Sequence, residues 1–370
     1  MNDTELLCLL ALLKVEGVGD IVAKKLINHC ETAENIFQLK ASKLTSIDGI
    51  GQNLIRNLKD KSVFVKAAAE LQYIKSNQIK VCFYQDDDYP ERLKHCVDGP
   101  VLLFYSGTIN WNTRKIISIV GTRQITSYGA EFCRKLIADL AALNPIIVSG
   151  FAYGVDIVAH QAAMDNNLQT IGVLAHGLNQ IYPKSHKRYI SKMEQNGGFM
   201  TEFWSNSNPE KENFVKRNRI VAGIAEATIV IESAEKGGSL ITATMANDYN
   251  RDVFAVPGRT SDKLSQGCNN LIKTQRAHLL TSAADVLYIL NWEIASQDHN
   301  DNKVIQKQLF ISLDQDEQKI YDYLQQNGKQ LLDVIAIACD FPIFKTAAIL
   351  LNMELKGVIR PLPGKLFEAI

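Results

Sequence analysis

The sequence lacks several features that would place it in common functional classes. Its longest apolar runs, such as Pro145 to Val148 and Ala227 to Ile231, fall far short of the roughly 18 residues that a membrane-spanning helix needs. The first residues, Met1 to Glu5, are acidic and do not form the basic region of a secretory signal. These absences predict a cytoplasmic protein with no membrane segment.

The sequence also lacks cysteine and histidine residues at the spacings of a metal site, and it lacks the cysteine pattern of a disulfide framework. The seven cysteines include no CxxC pair, and their odd number argues against a complete disulfide framework. The seven histidines pair with no cysteine or carboxylate at ligand spacing. We therefore expect neither a metal site nor a cofactor. Net charge is zero, with 40 basic and 40 acidic side chains, so any contact with nucleic acid must be local.

What the chain does have is enough apolar sequence for two or three domains, with 370 residues of which 46% are hydrophobic. Residues 1–75 are typical of short helices and contain an internal repeat: Glu16 to Gly19 and Asp48 to Gly51 share a Gly-hydrophobic-Gly turn, 32 residues apart. Such turns resemble the helix-hairpin-helix motif, which offers backbone N–H groups to a DNA phosphate. A purely structural pair of helical hairpins explains the repeat equally well.

Residues 76–295 alternate short β-branched runs with helical stretches, which predicts a Rossmann-like, doubly wound and mostly parallel sheet. The predicted strands are 115–120, 145–149, 170–175, 199–203, 227–232 and 252–256. The predicted helices between them are 129–143, 155–164, 186–194, 218–226 and 239–247. In this architecture ligands bind outside the carboxyl ends of the strands.

The C-terminal part is predicted to be a separate module. Residues 296–311 are polar and are predicted to be a linker, and residues 312–370 have three helical segments and a small hairpin, which is typical of a winged helix. From Val304 onward there are seven basic and eight acidic residues. This charge balance favours a protein-contact or regulatory role over DNA reading.

The predicted strand ends carry glycines and polar residues. Gly121 to Arg123 precede a helix, and Ser149 to Asp156 are rich in small residues, with Asp156 either a ligand contact or a partner of the helix dipole. Lys236 to Thr242 has the composition of a phosphate cradle. None of these loops is GxGxxG or GxxxxGK[ST], so neither a dinucleotide fingerprint nor a P-loop ATPase is supported. Between Lys184 and Arg219 there are eight basic and four acidic residues, which predicts a positive rim.

The segments GTR, SGFAYGVD, HGLNQIYP, KRNRIVAG, EKGGSLITAT and VFAVPG, in this order, closely resemble the Rossmann core of the DprA/Smf family over roughly residues 80–290. The resemblance implies a protein that binds single-stranded DNA without chemistry, forms a homodimer, contacts RecA and loads it onto incoming DNA in natural transformation. It implies no enzyme activity and no cofactor. The DNA-binding residues that it implies are Gly121, Thr122, Arg123, Ser149, Gly150, Lys184, Lys187, Arg217, Asn218, Arg219, Lys236, Gly238 and Ser239.

Three positions depart from the family pattern: Val215 replaces a proline, His186 an asparagine and Gly237 a serine. Tyr182 and Phe214 either stack on bases or pack under the loops. For the dimer face the sequence offers exposed apolar candidates that helix packing would explain equally well. These are Leu279, Leu280, Leu287 and Leu290.

Two other functions fit parts of the sequence. A Rossmann-like enzyme acting on mononucleotides would use Glu202 and Glu232 as its acid and base, although no histidine or cysteine is placed beside a nucleophile. A scaffold with a vestigial pocket would leave partner binding to the outer domains. It predicts that Arg123→Ala with Lys184→Ala leaves DNA affinity unchanged.

Overall fold

The computed structural model describes residues 1–47, 49–111, 115–292, 313–356, 358–362 and 366–369. The chain divides into two compact units, Met1–Ala295 and Ser296–Ile370. The predicted linker, residues 296–311, lies outside the described residues. No single helix in the described part of the chain is long and apolar enough to cross a membrane, although Leu332–Ala338 and Ile343–Glu354, bent by 108°, pass that test as a pair.

The first unit begins with six helices that form a small module. They are α1 (Asp3–Lys14), α2 (Asp20–Cys30), α3 (Ala33–Gln38), α4 (Ala41–Leu44), α5 (Gln52–Leu58) and α6 (Ser62–Ser76). The glycines of both repeat turns lie between two helices. Gly17 and Gly49 adopt φ of 86° and 80°, a region that favours glycine, and Gly19 and Gly51 directly precede α2 and α5. The apolar core of this module extends to Phe104 and Trp204. The helical module therefore packs directly on the sheet domain.

The sheet domain follows the predicted alternation of strands and helices. Its elements are β1 (Lys80–Phe83), α7 (Glu91–Lys94), β2 (Leu102–Thr108), β3 (Ile116–Val120), α8 (Ser127–Leu140), β4 (Ile146–Ser149), α9 (Val155–Asp165), β5 (Thr170–Val173), α10 (Ile190–Gln195), β6 (Gly197–Thr201), α11 (Lys211–Ile224), β7 (Ala227–Val230), α12 (Gly238–Asp248), β8 (Asp252–Ala255), α13 (Gln266–Lys273), β9 (His278–Leu279) and α14 (Ala283–Leu290). Two short 3₁₀ turns, Ala141–Leu143 and Lys184–Tyr189, complete it.

These strands form one nine-stranded sheet in the order β1-β2-β6-β5-β4-β3-β7-β8-β9. From β6 to β9 the pairs are parallel, whereas β1 and β2 form an antiparallel edge. Buried apolar clusters cover both faces of the sheet, as expected for a doubly wound fold. The strand order reverses at β3, which pairs with both β4 and β7, so β3 marks the topological switch point.

The predicted Rossmann-like fold is thus confirmed, although individual elements differ from the prediction. The predicted helix 186–194 is a 3₁₀ turn, Lys184–Tyr189, followed by α10, and helices α7, α13 and α14 were not predicted. The sequence pattern missed the two edge strands, β1 and β9, and also β2, which lies between β1 and β6. It also placed the start of α11 at residue 218, whereas the helix begins at Lys211. Residues 211–217, which were not predicted to be helical, therefore belong to α11.

The second unit has the winged-helix arrangement predicted for it. It contains α15 (Gln315–Asn327), β10 (Gln330–Leu331), α16 (Leu332–Ala338), α17 (Ile343–Leu355), β11 (Ile359–Leu362) and β12 (Leu366–Ala369). Asp314 and Glu317 form a capping box at the start of α15. Strands β11 and β12 pair as an antiparallel hairpin. The unit has its own apolar core around Ile320, Leu324 and Met353.

Candidate functional site

A pocket of about 640 Å³ opens at the topological switch point, where the carboxyl ends of β3, β4 and β7 meet. Four loops supply most of the backbone and small side chains, and residues of α11 and α12 complete the wall. The lining residues are Val120, Gly121, Thr122, Arg123, Gly150, Ala152, Asp156, Pro209, Lys211, Phe214, Val215, Arg217, Asn218, Val221, Ser233, Ala234, Gly237, Gly238, Ser239, Ile241 and Thr242. Arg217 and seven other residues that were predicted as DNA contacts are among these lining residues.

Close packing at the base of this pocket requires glycine at two of these positions. A Cβ at position 121 would lie 2.4 Å from the side chain of Val155, and one at position 150 would lie 2.5 Å from the guanidinium nitrogens of Arg217. By contrast, a Cβ at Gly238 would meet nothing within 4 Å. Gly238 is the first residue of α12, and the N-cap residue Gly237 has no side chain to cap the free N–H groups of that helix.

The base of the pocket is held by the buried pair Arg217 and Asp156. Arg217 is 5% exposed and donates hydrogen bonds to the carbonyl oxygens of Gly150 (2.7 Å) and Val173. Asp156 accepts from the N–H of Ala152 at 3.2 Å. Burial is the largest influence on both groups: it raises the pKa of Asp156 and lowers the pKa of Arg217 to about 10, and each charge opposes the other's shift. Arg217 therefore remains a cation at neutral pH and acts mainly by fixing the loop at Gly150.

The open side of the pocket presents cations and aromatic rings. Arg123 is exposed, and its guanidinium carbon lies 5.2 Å from the ring centroid of Phe214. Tyr182, 40% exposed, meets Phe214 edge to face at 5.9 Å between ring centroids. Lys211 adds a second exposed cation at the start of α11. Arg123, Lys211 and Arg217 against Asp156 leave the charged lining positive.

Lys211 and Val215 were missed as lining residues because α11 begins earlier than the sequence suggested. Lys211, Phe214, Val215 and Asn218 stand at positions i, i+3, i+4 and i+7 of that helix, so they share one face. Had the helix been started at residue 211, this spacing would have found them.

Three of the predicted cations outside the lining are exposed, and we refer to Lys184, Lys187 and Lys236 as the rim cations. Lys184 and Lys187 are exposed on the 3₁₀ turn that follows Tyr182. Ser185 in this turn donates to the hydroxyl of Tyr153 at 3.1 Å. Lys236 is exposed in the turn before Gly237.

Two predicted contact residues lie elsewhere. Ser149 is fully buried and donates to the carbonyl of Ile119 at 2.6 Å, so it ties β4 to β3. Arg219 is 6% exposed and pairs with Asp20 (3.1 Å) and Glu202 (2.5 Å). On a helix, residues 217 and 219 point to opposite sides, which is why only Arg217 reaches the pocket. Arg219 instead joins α11 to the helical module.

The two glutamates considered as an acid–base pair have separate structural partners. Glu202 is buried against Arg219 and Lys216. Glu232 accepts from the N–H and hydroxyl of Thr126, at 2.9 and 2.5 Å, just before α8. Neither lines the pocket.

Among the described residues, one group of potential metal ligands comes together, Cys82 with Asp86 and Asp88. Burial and the Asp88 carboxylate raise the pKa of the Cys82 thiol, which donates to Asp88 at 3.3 Å. Hydrogen bonds hold the three residues in one turn, since Asp86 also accepts from the N–H of Phe83 at 2.9 Å. All seven cysteines are buried free thiols.

The fold is that of a Rossmann-like protein with a positively charged pocket at the strand switch point. Residues 80–291 match the family described as DNA recombination-mediator protein A, and residues 308–365 match the DprA winged helix domain. The chain belongs to the DprA/Smf family of DNA recombination mediators, and its role lies in DNA processing.

Individual relatives agree with this assignment. Protein Smf of Synechocystis sp. is 33% identical over 276 residues, which cover 74% of this chain and 69% of that protein. DNA processing protein DprA of Streptococcus pneumoniae is 41% identical over 202 residues, covering 55% and 71% of the two chains. A solved structure of the S. pneumoniae protein superimposes with a TM-score of 0.64 at 32% identity, covering 78% of this chain and 98% of that one.

A further structural neighbour is DNA processing protein A of Helicobacter pylori, whose structure is described as revealing a single-stranded DNA binding mode. It has a TM-score of 0.53 and 28% identity, and it covers 58% of this chain and 96% of that one.

Proposed function

We propose that this chain binds single-stranded DNA in the pocket at the strand switch point and acts as a recombination mediator without catalysing a reaction. The observation that supports this most strongly is the joint presence, around one pocket, of a helix N-terminus without a side-chain cap, cations and the aromatic ring of Phe214. Phosphates need the first two, and unpaired bases need the third. The likeness to the H. pylori protein points in the same direction.

The contacts divide by chemistry. The phosphates are bound by Arg123 and Lys211, by the rim cations Lys184, Lys187 and Lys236, and by the backbone and polar groups of Gly121, Thr122, Gly150, Asn218, Gly238 and Ser239. Phe214 and Tyr182 stack on bases, each contributing on the order of 1–3 kcal/mol. Arg217 supports this surface from below by fixing Gly150. Because these groups read few base edges, sequence preference is low.

The biological role that we propose is delivery of incoming DNA to RecA in the cytoplasm during natural transformation. A protein that holds single-stranded DNA through its phosphates and a few bases leaves the strand available to a second protein. The test is whether RecA assembles faster on single-stranded DNA when this chain is present. The rate of DNA-dependent ATP hydrolysis by RecA measures this assembly. Arg123→Ala with Lys211→Ala should abolish the acceleration.

We also propose a homodimer through the edge of the sheet domain at β9 and α14. Strand β9 ends the sheet with Leu279 51% exposed, and Tyr288 on α14 is 84% exposed. An open strand edge with apolar side chains is a surface that pairs readily with another chain. Leu280, predicted as exposed, is fully buried, and Leu287 and Leu290 pack partly on the core. Light scattering should give a dimer for the natural chain and a monomer for Leu279→Glu with Tyr288→Glu.

The test of DNA binding is a salt-titrated fluorescence anisotropy measurement with a single-stranded oligonucleotide and its duplex. We expect the single strand to bind more tightly and Arg123→Ala with Lys211→Ala to weaken it at least tenfold, with a shallower salt dependence. Arg134→Ala with Lys135→Ala is the matched control, because both residues are exposed cations on α8 outside the pocket.

An equal loss of DNA affinity in the two double variants would show that binding depends on total charge and not on the pocket. No binding of either DNA form at moderate salt would reject the proposal. In that case nucleoside monophosphate turnover becomes the measurement to make.

A further inference from the structure

Large apolar side chains are exposed on two helices of the winged-helix unit. Ile337 on α16 is 82% exposed, and Phe344 and Leu351 on α17 are 79% and 56% exposed. Of the 17 large apolar side chains that are exposed in the described part of the chain, six lie between residues 331 and 351. Exposed apolar side chains concentrated in this way indicate an interaction surface.

The helix α17 stands where a helix-turn-helix protein has its recognition helix, because α16 and α17 follow each other with a bend of 108°. In proteins that read DNA, this helix presents polar and basic side chains to the groove. Between Phe344 and Leu351 the one charged residue in the sequence is Lys345, and its ammonium pairs with Asp316 at 2.7 Å. The exposed face of α17 is therefore suited to an apolar partner and not to phosphates.

The exposed stripe on α17 has the same pattern in both directions. Its residues stand at positions i, i+3, i+4 and i+7 of one helix face, all four are exposed, and they are Phe344, Ala347, Ala348 and Leu351. In an antiparallel pair of α17 helices with a two-fold axis between the two alanines, Phe344 of each chain would lie opposite Leu351 of the other. The alanines at the axis would let the helix axes approach to about 8 Å.

The area of this surface is sufficient for a weak contact between two chains. The five large apolar side chains exposed on α16 and α17 present on the order of 600 Å², as much as the largest patch of a typical monomer. Two such faces together would bury roughly 1,000 Å², the lower limit for a specific interface. Seven basic and eight acidic residues from Val304 onward leave the unit almost uncharged, so two copies repel each other little.

We propose that this face binds a second copy of the chain, through an antiparallel pair of α17 helices related by a two-fold axis between Ala347 and Ala348. The inference does not rest on DNA binding, and it adds a second self-contact to the proposed dimer at the sheet edge. Because the contact buries little area, it forms at high protein concentration, whereas the sheet-edge dimer is the species expected in dilute solution.

The test is disulfide trapping on the full chain with single cysteine variants. Residue 347 would lie about 1.5 Å from its copy along the helix axis, whereas residue 352, exposed on the same helix, would lie roughly 14 Å from its copy. A disulfide requires Cα atoms within about 7 Å. With oxidised glutathione at high protein concentration, Ala347→Cys should form covalent dimers at least about tenfold faster than Asn352→Cys. The natural chain gives the background, because its seven cysteines are buried.

A second variant tests whether the large side chains of the stripe make the contact. Phe344→Glu, added to Ala347→Cys, places a carboxylate against Leu351 of the second copy and should slow cross-linking at least about tenfold. Because Phe344 is exposed, urea denaturation should show that this variant is as stable as the natural chain.

Equal cross-linking rates for Ala347→Cys and Asn352→Cys would overturn the inference, because the links would then come from random collisions. No covalent dimer from Ala347→Cys would also overturn it, and the exposed face would then belong to a different partner. Cross-linking that persists at the same rate after Phe344→Glu would reject the α17 stripe as the contact.

Discussion

At the scale of single residues, Gly150 and Gly238 form a matched pair within one pocket. A Cβ at position 150 would lie 2.5 Å from the guanidinium of Arg217, whereas one at position 238 meets nothing within 4 Å. We expect Gly150→Ala to lower the free energy of unfolding by about 1–3 kcal/mol, as overpacking does, and to weaken DNA binding by displacing Arg217.

Gly238→Ala should leave stability unchanged or raise it by about 0.4–1 kcal/mol, because it reduces the freedom of the unfolded chain. Urea denaturation and anisotropy on both variants check the pair. Similar destabilisation by the two substitutions would contradict the packing described for Gly150.

The buried histidine His160 makes stability depend on pH. Its Nδ1 lies 2.7 Å from the hydroxyl of Thr170, it is fully buried, and burial lowers its pKa to about 3. Between that value and the unfolded pKa of about 6.5, the unfolded chain binds the extra proton, so stability falls as the pH falls. From pH 7 to pH 5 this one residue should cost about 2 kcal/mol.

The dependence of the free energy of unfolding on pH is measured by urea denaturation at pH 7, 6 and 5. His160→Gln should flatten it, and His29→Gln, at an exposed position on α2, should not. Identical slopes in the natural chain and His160→Gln would show that other groups control the acid sensitivity.

At the scale of elements, the strands of the parallel sheet could be predicted from the sequence because each is a short, doubly buried apolar run. The carboxyl-end loops then followed from the general architecture, and they do meet in one pocket. Strands β1 and β9 were not predicted because the edge strand β1 is short and mostly half-buried and β9 has only two residues. Strand β2 was missed although it pairs on both sides and its first four residues form a buried apolar run. The first turn of α11 was not predicted because Lys211, Glu212 and Asn213 give no apolar periodicity.

The role of Arg219 could not be predicted for a different reason. Its partner Asp20 is 199 residues away in the sequence and belongs to another module. A run of cations such as Lys216, Arg217 and Arg219 is consistent with a DNA surface until the helix phase is known. Only the fold shows that neighbouring cations in this run serve opposite faces of α11.

The packing of α11 against α2 gives the next prediction. The Arg219 side chain is 7% exposed, and its partners Glu202 and Asp20 are 4% and 15% exposed. Removing one member of a buried ion network leaves uncompensated charges, so Arg219→Met should lower the free energy of unfolding by about 3–5 kcal/mol. Arg123→Ala, at an exposed position, should change stability by less than about 0.5 kcal/mol while weakening DNA binding.

Urea denaturation and anisotropy on these two variants separate the structural arginine from the ligand-binding one. An Arg219→Met protein of natural stability would contradict the buried network.

At the scale of the whole molecule, zero net charge conceals a segregated distribution. The proposed DNA surface gathers Arg123, Lys184, Lys187, Lys211 and Lys236 in the first unit. From Val304 onward, seven basic and eight acidic residues nearly cancel. The winged-helix unit therefore has little charge with which to bind phosphates, although winged helices commonly do so.

This segregation predicts that a chain ending at Trp292 binds single-stranded DNA about as well as the full chain, within about threefold, because the pocket lies wholly in the first unit. If the five cations each neutralise one phosphate, the slope of log K against log salt is about −3.5 for both proteins, and each lysine removed makes it shallower by about 0.7. Anisotropy over a range of salt concentrations measures both quantities. A tenfold loss with a shallower slope in the shortened chain would mean that the winged helix contributes phosphate contacts despite its charge balance. An affinity loss at unchanged slope would instead mean that it acts through protein contacts, such as those that hold two chains on one strand.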